Sequence, residues 1–175
     1  MSFNQTKKAI NIEKLFLKFI NVVGPIAAIL LATVPVALSI YNRQPQQLPI
    51  SATFTKNNQT IQLEVARSRR ELALGLKFRK SISENTGMLF VVDNAEPIRL
   101  WMKDTYVPLD MIFMRDGVVK DIVKNATPCK KEPCPAYGGK LPANQIIEIS
   151  SGKAQKLGIE VGDKLFINYL IKPPK

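Results

Sequence analysis

The sequence predicts a mainly β domain, a compact sandwich or open barrel of about seven to eight short strands with two short helices. Three observations carry that prediction. Between Ile50 and Ile171 the apolar residues fall in short runs of strand length, some alternating with polar residues and some continuous. Turn dipeptides, Asn57-Asn58 and Asp116-Gly117, separate several of these runs. Helix start and stop signals occur only twice in this region, after Ser68 and after Ser151, and no internal repeat is present.

The chain begins with a different pattern. Lys7, Lys8, Lys14 and Lys18, offset only by Glu13, precede an uncharged stretch from Phe19 to Asn42. As a helix, residues 19–41 rise roughly 35 Å, enough to cross a hydrocarbon core. Pro25 and Pro35 are breaks that membrane helices accommodate. Residues 1–42 therefore read as a basic flank plus a membrane anchor; a cleavable signal is the other reading, because Ala37-Leu38-Ser39 places small residues where a signal peptidase cuts. Both keep the basic flank in the cytoplasm and place the remainder of the chain outside it. The chain is then a single-pass membrane protein or, once cleaved, a periplasmic or otherwise extracytoplasmic one. Residues 43–49, "RQPQQLP", read as a linker, residues 50–171 as the exported domain and 172–175 as a tail.

Within the domain, "ATFTK" and "TIQLEVA" flank Asn57-Asn58 as a hairpin, Ile61, Leu63 and Val65 alternating with polar residues. Ser68 and Glu71 have capping-box spacing, so "ELALGL" continues a short helix. "GMLFVV" suits a strand buried on both faces. "IRLWMK" and "LDMIFMR" are two more strands, and Asp116-Gly117 turns the chain into "VVKDIVK". After a proline-rich loop come the strand "QIIEIS" and the helix "SGKAQKLG", with Gly158 as its stop. A turn at Val161-Gly162-Asp163 then leads to a last strand in "KLFINYL".

Composition removes several chemistries. The chain has no histidine, which excludes the commonest general base, Ser-His and Cys-His nucleophile pairs and mixed Cys/His zinc sites. The 25 basic and 14 acidic residues give a net +11. From Arg43 onward 21 basic and 13 acidic residues still leave +8, but they are scattered and accompany no phosphate loop or RNA-binding signature. Nucleic acid is not an expected partner, and no cofactor is expected. Cys129 and Cys134 enclose four residues in a proline-rich loop, so in an oxidising compartment a structural disulfide is the expectation. A redox-active pair would prefer closer spacing, and a metal would need two further acidic ligands beside Lys130 and Lys131.

The series Gly75-Leu76 with Arg79, "GMLF" from Gly87 to Phe90, "WMKDT" with "PLDMIF", the prolines around the two cysteines, and Gly158-Ile159 with Gly162-Asp163 resembles the family called domain of unknown function 192. The resemblance covers roughly residues 61–170 and implies a small β-rich domain, commonly behind a signal or anchor, with no established activity. Asp104 stands where most members carry asparagine, and Val92 where an aromatic is usual.

The stretch "WMKDTYVPLDMIFMRDG" holds the candidate site. Strand alternation puts Arg99, Trp101 and Lys103 on one face and Leu100 and Met102 on the other, toward the core. A tryptophan beside a lysine can stack on a flat ligand while the ammonium holds an anionic substituent. Asp104, Thr105 and Asp110 either join that groove or accept hydrogen bonds from the intervening turn. Arg79 is an ion-pair partner for one of these aspartates or an anion-binding residue. Two functions are compatible with these residues. One is a ligand-binding or accessory module at the cell envelope whose ligand is a glycan, a peptide or another small molecule, with Trp101, Lys103, Asp104, Thr105, Asp110 and Arg79 as candidate binding residues. The other is a hydrolase or lyase using Asp104 and Asp110 as acid and base. Binding is preferred, because no nucleophile elbow, metal motif or cofactor loop is present.

Overall fold

The computed structural model describes residues 12–170; Lys7 and Lys8 of the expected basic flank and the expected tail 172–175 lie outside them. The chain divides into two units, one up to Gln44 and one from Pro45 onward. The first consists of α1 (Ile12–Asn42), which contains Pro25 and Pro35. Its Phe16–Tyr41 segment of 26 residues is long and apolar enough to cross a membrane. The Thr33 hydroxyl donates to the Ile29 carbonyl at 2.8 Å, so this polar side chain is satisfied within the helix.

The second unit is mainly β, as expected. Its elements in chain order are β1 (Ile50–Lys56), β2 (Gln59–Ala66), α2 (Arg69–Leu74), β3 (Thr86–Glu96), β4 (Arg99–Trp101), β5 (Leu109–Arg115), β6 (Val118–Ala126), β7 (Ala136–Gly138), β8 (Ala143–Ser150), α3 (Lys153–Lys156) and β9 (Asn168–Tyr169). Seven strands form one mixed sheet in the order β6-β5-β8-β3-β2-β1-β9, and β4 pairs with β7 in a separate two-stranded sheet. The layers are thus unequal, and no closed barrel forms among the described residues. The ninth strand arises because β7 lies in the proline-rich loop, where it pairs with β4 through Trp101 and Ala136.

Local chemistry explains the connections. Asn57 and Asn58 turn β1 into β2 with φ of 49° and 58°, a left-handed pair that asparagine tolerates. The Ser68 hydroxyl accepts from the Glu71 N–H while the Glu71 carboxylate accepts from the Ser68 N–H, closing the capping box that starts α2. The Arg67 and Ser68 N–H groups, each donating to the Glu71 carboxylate at 2.9 Å, hold its carboxyl below the ordinary carboxylate range. Because α2 lies between β2 and β3, the two strands run parallel; every other ladder in the large sheet is antiparallel.

The large sheet carries a core on each face. Leu63, Leu89, Ile112 and Ile147 point to one side, where Ala154 and Leu157 of the α3 region complete a buried cluster. Met88, Phe90, Met111, Phe113 and Ile146 point to the other, under Leu72, Leu76, Leu100 and Met102. Complete burial of such side chains contributes roughly 1.5–3 kcal/mol each. Continuous apolar strands such as "LDMIFMR" are the direct consequence, since both of their faces are covered.

Candidate functional site

On the α2 side of the large sheet, register places Glu64, Met88, Glu148 and Met111 side by side across β2, β3, β8 and β5. The two acids in this row have different surroundings. Glu64 accepts two hydrogen bonds from the Arg79 guanidinium, both 2.7 Å, and one from the Leu48 N–H at 2.7 Å. Arg79 also donates to the Gln46 carbonyl at 2.6 Å. The arginine therefore fastens the 45–49 and 76–80 segments to β2, pairing with Glu64 rather than with an aspartate of the candidate stretch.

Glu148 is 6% exposed and, among the described residues, receives no hydrogen bond to its side chain. Burial without a compensating donor pushes its carboxyl up to about 8, so it is largely protonated at neutral pH. It lies on the floor of a cavity of about 180 Å³ also lined by Gly75, Leu76, Lys77, Phe90, Arg99, Leu100, Trp101 and Thr105. Thr105 is as buried as Glu148, whereas Trp101 is 51% exposed. The cleft thus runs from a polar floor, past apolar walls, to a rim formed by an indole and cations. A second depression of about 280 Å³, bordered by Arg67, Arg69, Leu72, residues 91–94 and Glu96, has mostly exposed polar walls and no buried polar side chain.

The turn after α2 shapes one wall. Gly75 adopts a φ of +49°, and a Cβ there would stand 3.1 Å from the Phe90 ring. Glycine supplies the left-handed backbone and lets the turn rest on Phe90. Gln46 secures the same turn from below, its amide donating to the Glu71 and Gly75 carbonyls at 2.9 and 3.0 Å.

At the rim, the Lys77 and Lys103 ammonium groups lie 5.9 and 5.6 Å from the Trp101 ring centroid, at cation–π distance. Lys103 also pairs with Glu132 at 2.6 Å, which raises the Lys103 ammonium and lowers the Glu132 carboxyl from their ordinary values. Glu132 belongs to the loop closed by the Cys129–Cys134 disulfide. That loop is tied to the end of β4 by the Cys129 N–H, which donates to the Met102 carbonyl at 3.3 Å.

Alternation holds in this segment: Met102 is buried and Leu100 half-buried, while Arg99 and Trp101 are exposed. The structure brings Trp101 and Thr105 into the cleft and sets Lys103 beside the indole. Asp104 has a φ of +59°, and its carbonyl accepts the Phe78 N–H at 2.7 Å. Asparagine and aspartate share tolerance of this backbone, which accounts for an aspartate at a position where the family resemblance leads one to expect asparagine. Asp110 does not line the cleft. It is completely buried toward α3, where it accepts the Asn125 and Ala154 N–H groups at 2.9 Å each. The Asp110 carboxylate is therefore held by backbone donors, which leaves it no role as the acid or base partner read for it beside Asp104.

Reasoning from the sequence missed Glu148, although the signal was present. A single acid amid the isoleucines of "QIIEIS", in a strand covered on both faces, has nowhere to go but the interior.

Residues 51–167 match the family described as Uncharacterized ACR, domain of unknown function 192. A solved structure of a Sinorhizobium meliloti 1021 protein, provisionally named a transcription regulator, is similar at 29% identity and a TM-score of 0.59, covering 66% of this chain and 90% of that one. A protein of unknown function from Novosphingobium aromaticivorans DSM 12444 is similar at 33% identity and a TM-score of 0.57, covering 66% and 83% respectively. No curated protein matches.

Proposed function

This chain belongs to the domain of unknown function 192 family, and from that premise we propose that it is an envelope protein whose β unit binds a small ligand in the Glu148 cleft. The observation that carries the reading is the Glu148 carboxyl, buried on a cavity floor with no protein donor among the described residues. A buried polar group normally has a partner, and a group left open at the base of a cleft is available to one from outside. A protonated carboxyl both donates and accepts, so it suits a neutral hydroxyl or amide. Binding is favoured over hydrolysis because Asp110, one half of the acid–base pair read from the sequence, is occupied by backbone donors.

The apolar α1 segment holds the protein in the cell membrane, with the basic flank inside and the β unit outside the cytoplasm; a cleaved segment would release the unit there. The disulfide supports an oxidising surrounding. A regulatory role like the one named for the Sinorhizobium protein is disfavoured, since the basic residues of this chain are scattered and the cleft is sized for a small molecule.

The ligand site is tested by adding neutral single-ring alcohols and amides, such as myo-inositol and benzamide, to isotopically labelled protein. Amide shifts should concentrate at residues 75–77, 101–105 and 148. Shifts centred on α3, or none with any probe, would refute the site. Protease added to intact spheroplasts should digest the β unit; protection until lysis would refute the orientation.

A further inference from the structure

We infer that the cleft takes a single-ring carboxylate, whose hydroxyl or amide end meets Glu148 and Thr105, whose ring packs beside Leu76 and Trp101, and whose carboxylate lies between Lys77 and Arg99. This rests on the reading of the cleft as a binding site and adds the ligand's size, polarity and charge.

Size comes from the cavity. Its volume of about 180 Å³ is close to that of the roughly 150 Å³ engineered cavity that holds one benzene, so the enclosed part of the ligand is one ring with a small substituent. Polarity comes from depth. Glu148 and Thr105 are the buried polar side chains of the lining, and they demand hydrogen-bonding groups at the inner end. Charge comes from the entrance. Lys77 and Arg99 line the cleft, and among the described residues neither has an acidic side chain within 4.0 Å. The Lys77 ammonium donates to the Ala73 carbonyl at 2.8 Å, which holds it near the indole without neutralising it. Lys103, the third cation at the rim, is already paired with Glu132. An ammonium ligand would meet like charge at this entrance, whereas a carboxylate would complete it. Both a hydroxylated aromatic acid and a sugar acid have this chemistry.

The single tryptophan of the chain provides the readout, because its indole N–H gives one resonance at the cleft rim. Full-length labelled protein in nanodiscs is titrated with 4-hydroxybenzoate and 4-hydroxybenzamide, and with D-glucuronate and D-glucose. The acid of at least one pair should move the Trp101 resonance with about tenfold tighter affinity than its neutral partner, equivalent to about 1.4 kcal/mol. The Lys77→Ala/Arg99→Ala double variant should abolish that preference; which pair responds separates an aromatic from a sugar source. Equal affinity for acid and neutral partner would overturn the carboxylate inference while leaving the cleft as a binding site. A preference that survives the double variant would overturn it equally. Silence of Trp101 toward all four probes would overturn the inference and the cleft reading together.

Discussion

Asp110 and Glu148 lie on adjacent strands, are both buried and face opposite sides of one sheet. On the α3 side, two backbone N–H groups at 2.9 Å occupy the Asp110 carboxylate, on the face where Ile112, Ile147, Ala154 and Leu157 form a buried apolar cluster. On the α2 side, Glu148 has no donor among the described residues and an open cavity above it. The first acid secures the start of α3 and the irregular end of β6 at Asn125. The second has no protein donor among the described residues, and its burial disfavours the charged carboxylate. Burial alone therefore does not distinguish these two acids; what does is whether protein donors occupy the carboxyl and whether open space lies above it.

Substitutions should separate the two faces by sign. The largest effect is expected for Asp110→Ala, which leaves two N–H groups without an acceptor and should lower stability by roughly 3–5 kcal/mol in urea unfolding. A loss under about 1 kcal/mol would remove Asp110 from its structural role.

Glu148→Gln should act in the opposite direction. The folded-state carboxyl is raised from an ordinary 4.5 to about 8, so its contribution is fully favourable below pH 4.5 and is lost as pH rises toward 8. At pH 7 the glutamine variant should be more stable than the parent by about 3 kcal/mol, and the difference should vanish near pH 4. Equal stabilities of parent and variant across this range would make the two faces energetically alike.

Much of this contrast is written in the sequence, and the unread part has a physical reason. The Asn57-Asn58 hairpin, the Ser68–Glu71 box and the inward Met102 are local patterns fixed by neighbouring residues. Parallel pairing of β2 with β3, and β7 within a proline-rich loop, depend on contacts distant in sequence. Alternation assigns Asp110 a parity along β5, but the turn at 102–108 intervenes and β4 belongs to the other sheet. Parity could not tell that Asp110 and Trp101 have different surroundings. Arg79 illustrates the same limit: its partner is Glu64 on β2, fifteen residues earlier, rather than a nearby aspartate. Glu148 needed the further step of asking what a lone acid does in a doubly covered strand.

A smaller effect should sharpen the comparison at the rim. Replacing Cys129 and Cys134 together by serine opens a short ring, for which chain entropy gives a loss of about 2 kcal/mol. Because Glu132 in that loop pairs with Lys103, the Trp101 indole resonance should move while amides of α3 stay in place. Equal shifts on both faces would show that the loop supports the whole unit rather than the cleft side.

The most direct test is a pH titration of the Glu148 side-chain carboxyl carbon by NMR in the intact chain, with no ligand added. A midpoint near 8 is predicted, from burial without a donor. A midpoint near 4.5 would mean that water or an unrecognised donor already satisfies the carboxyl, and the distinction between the two faces would fail.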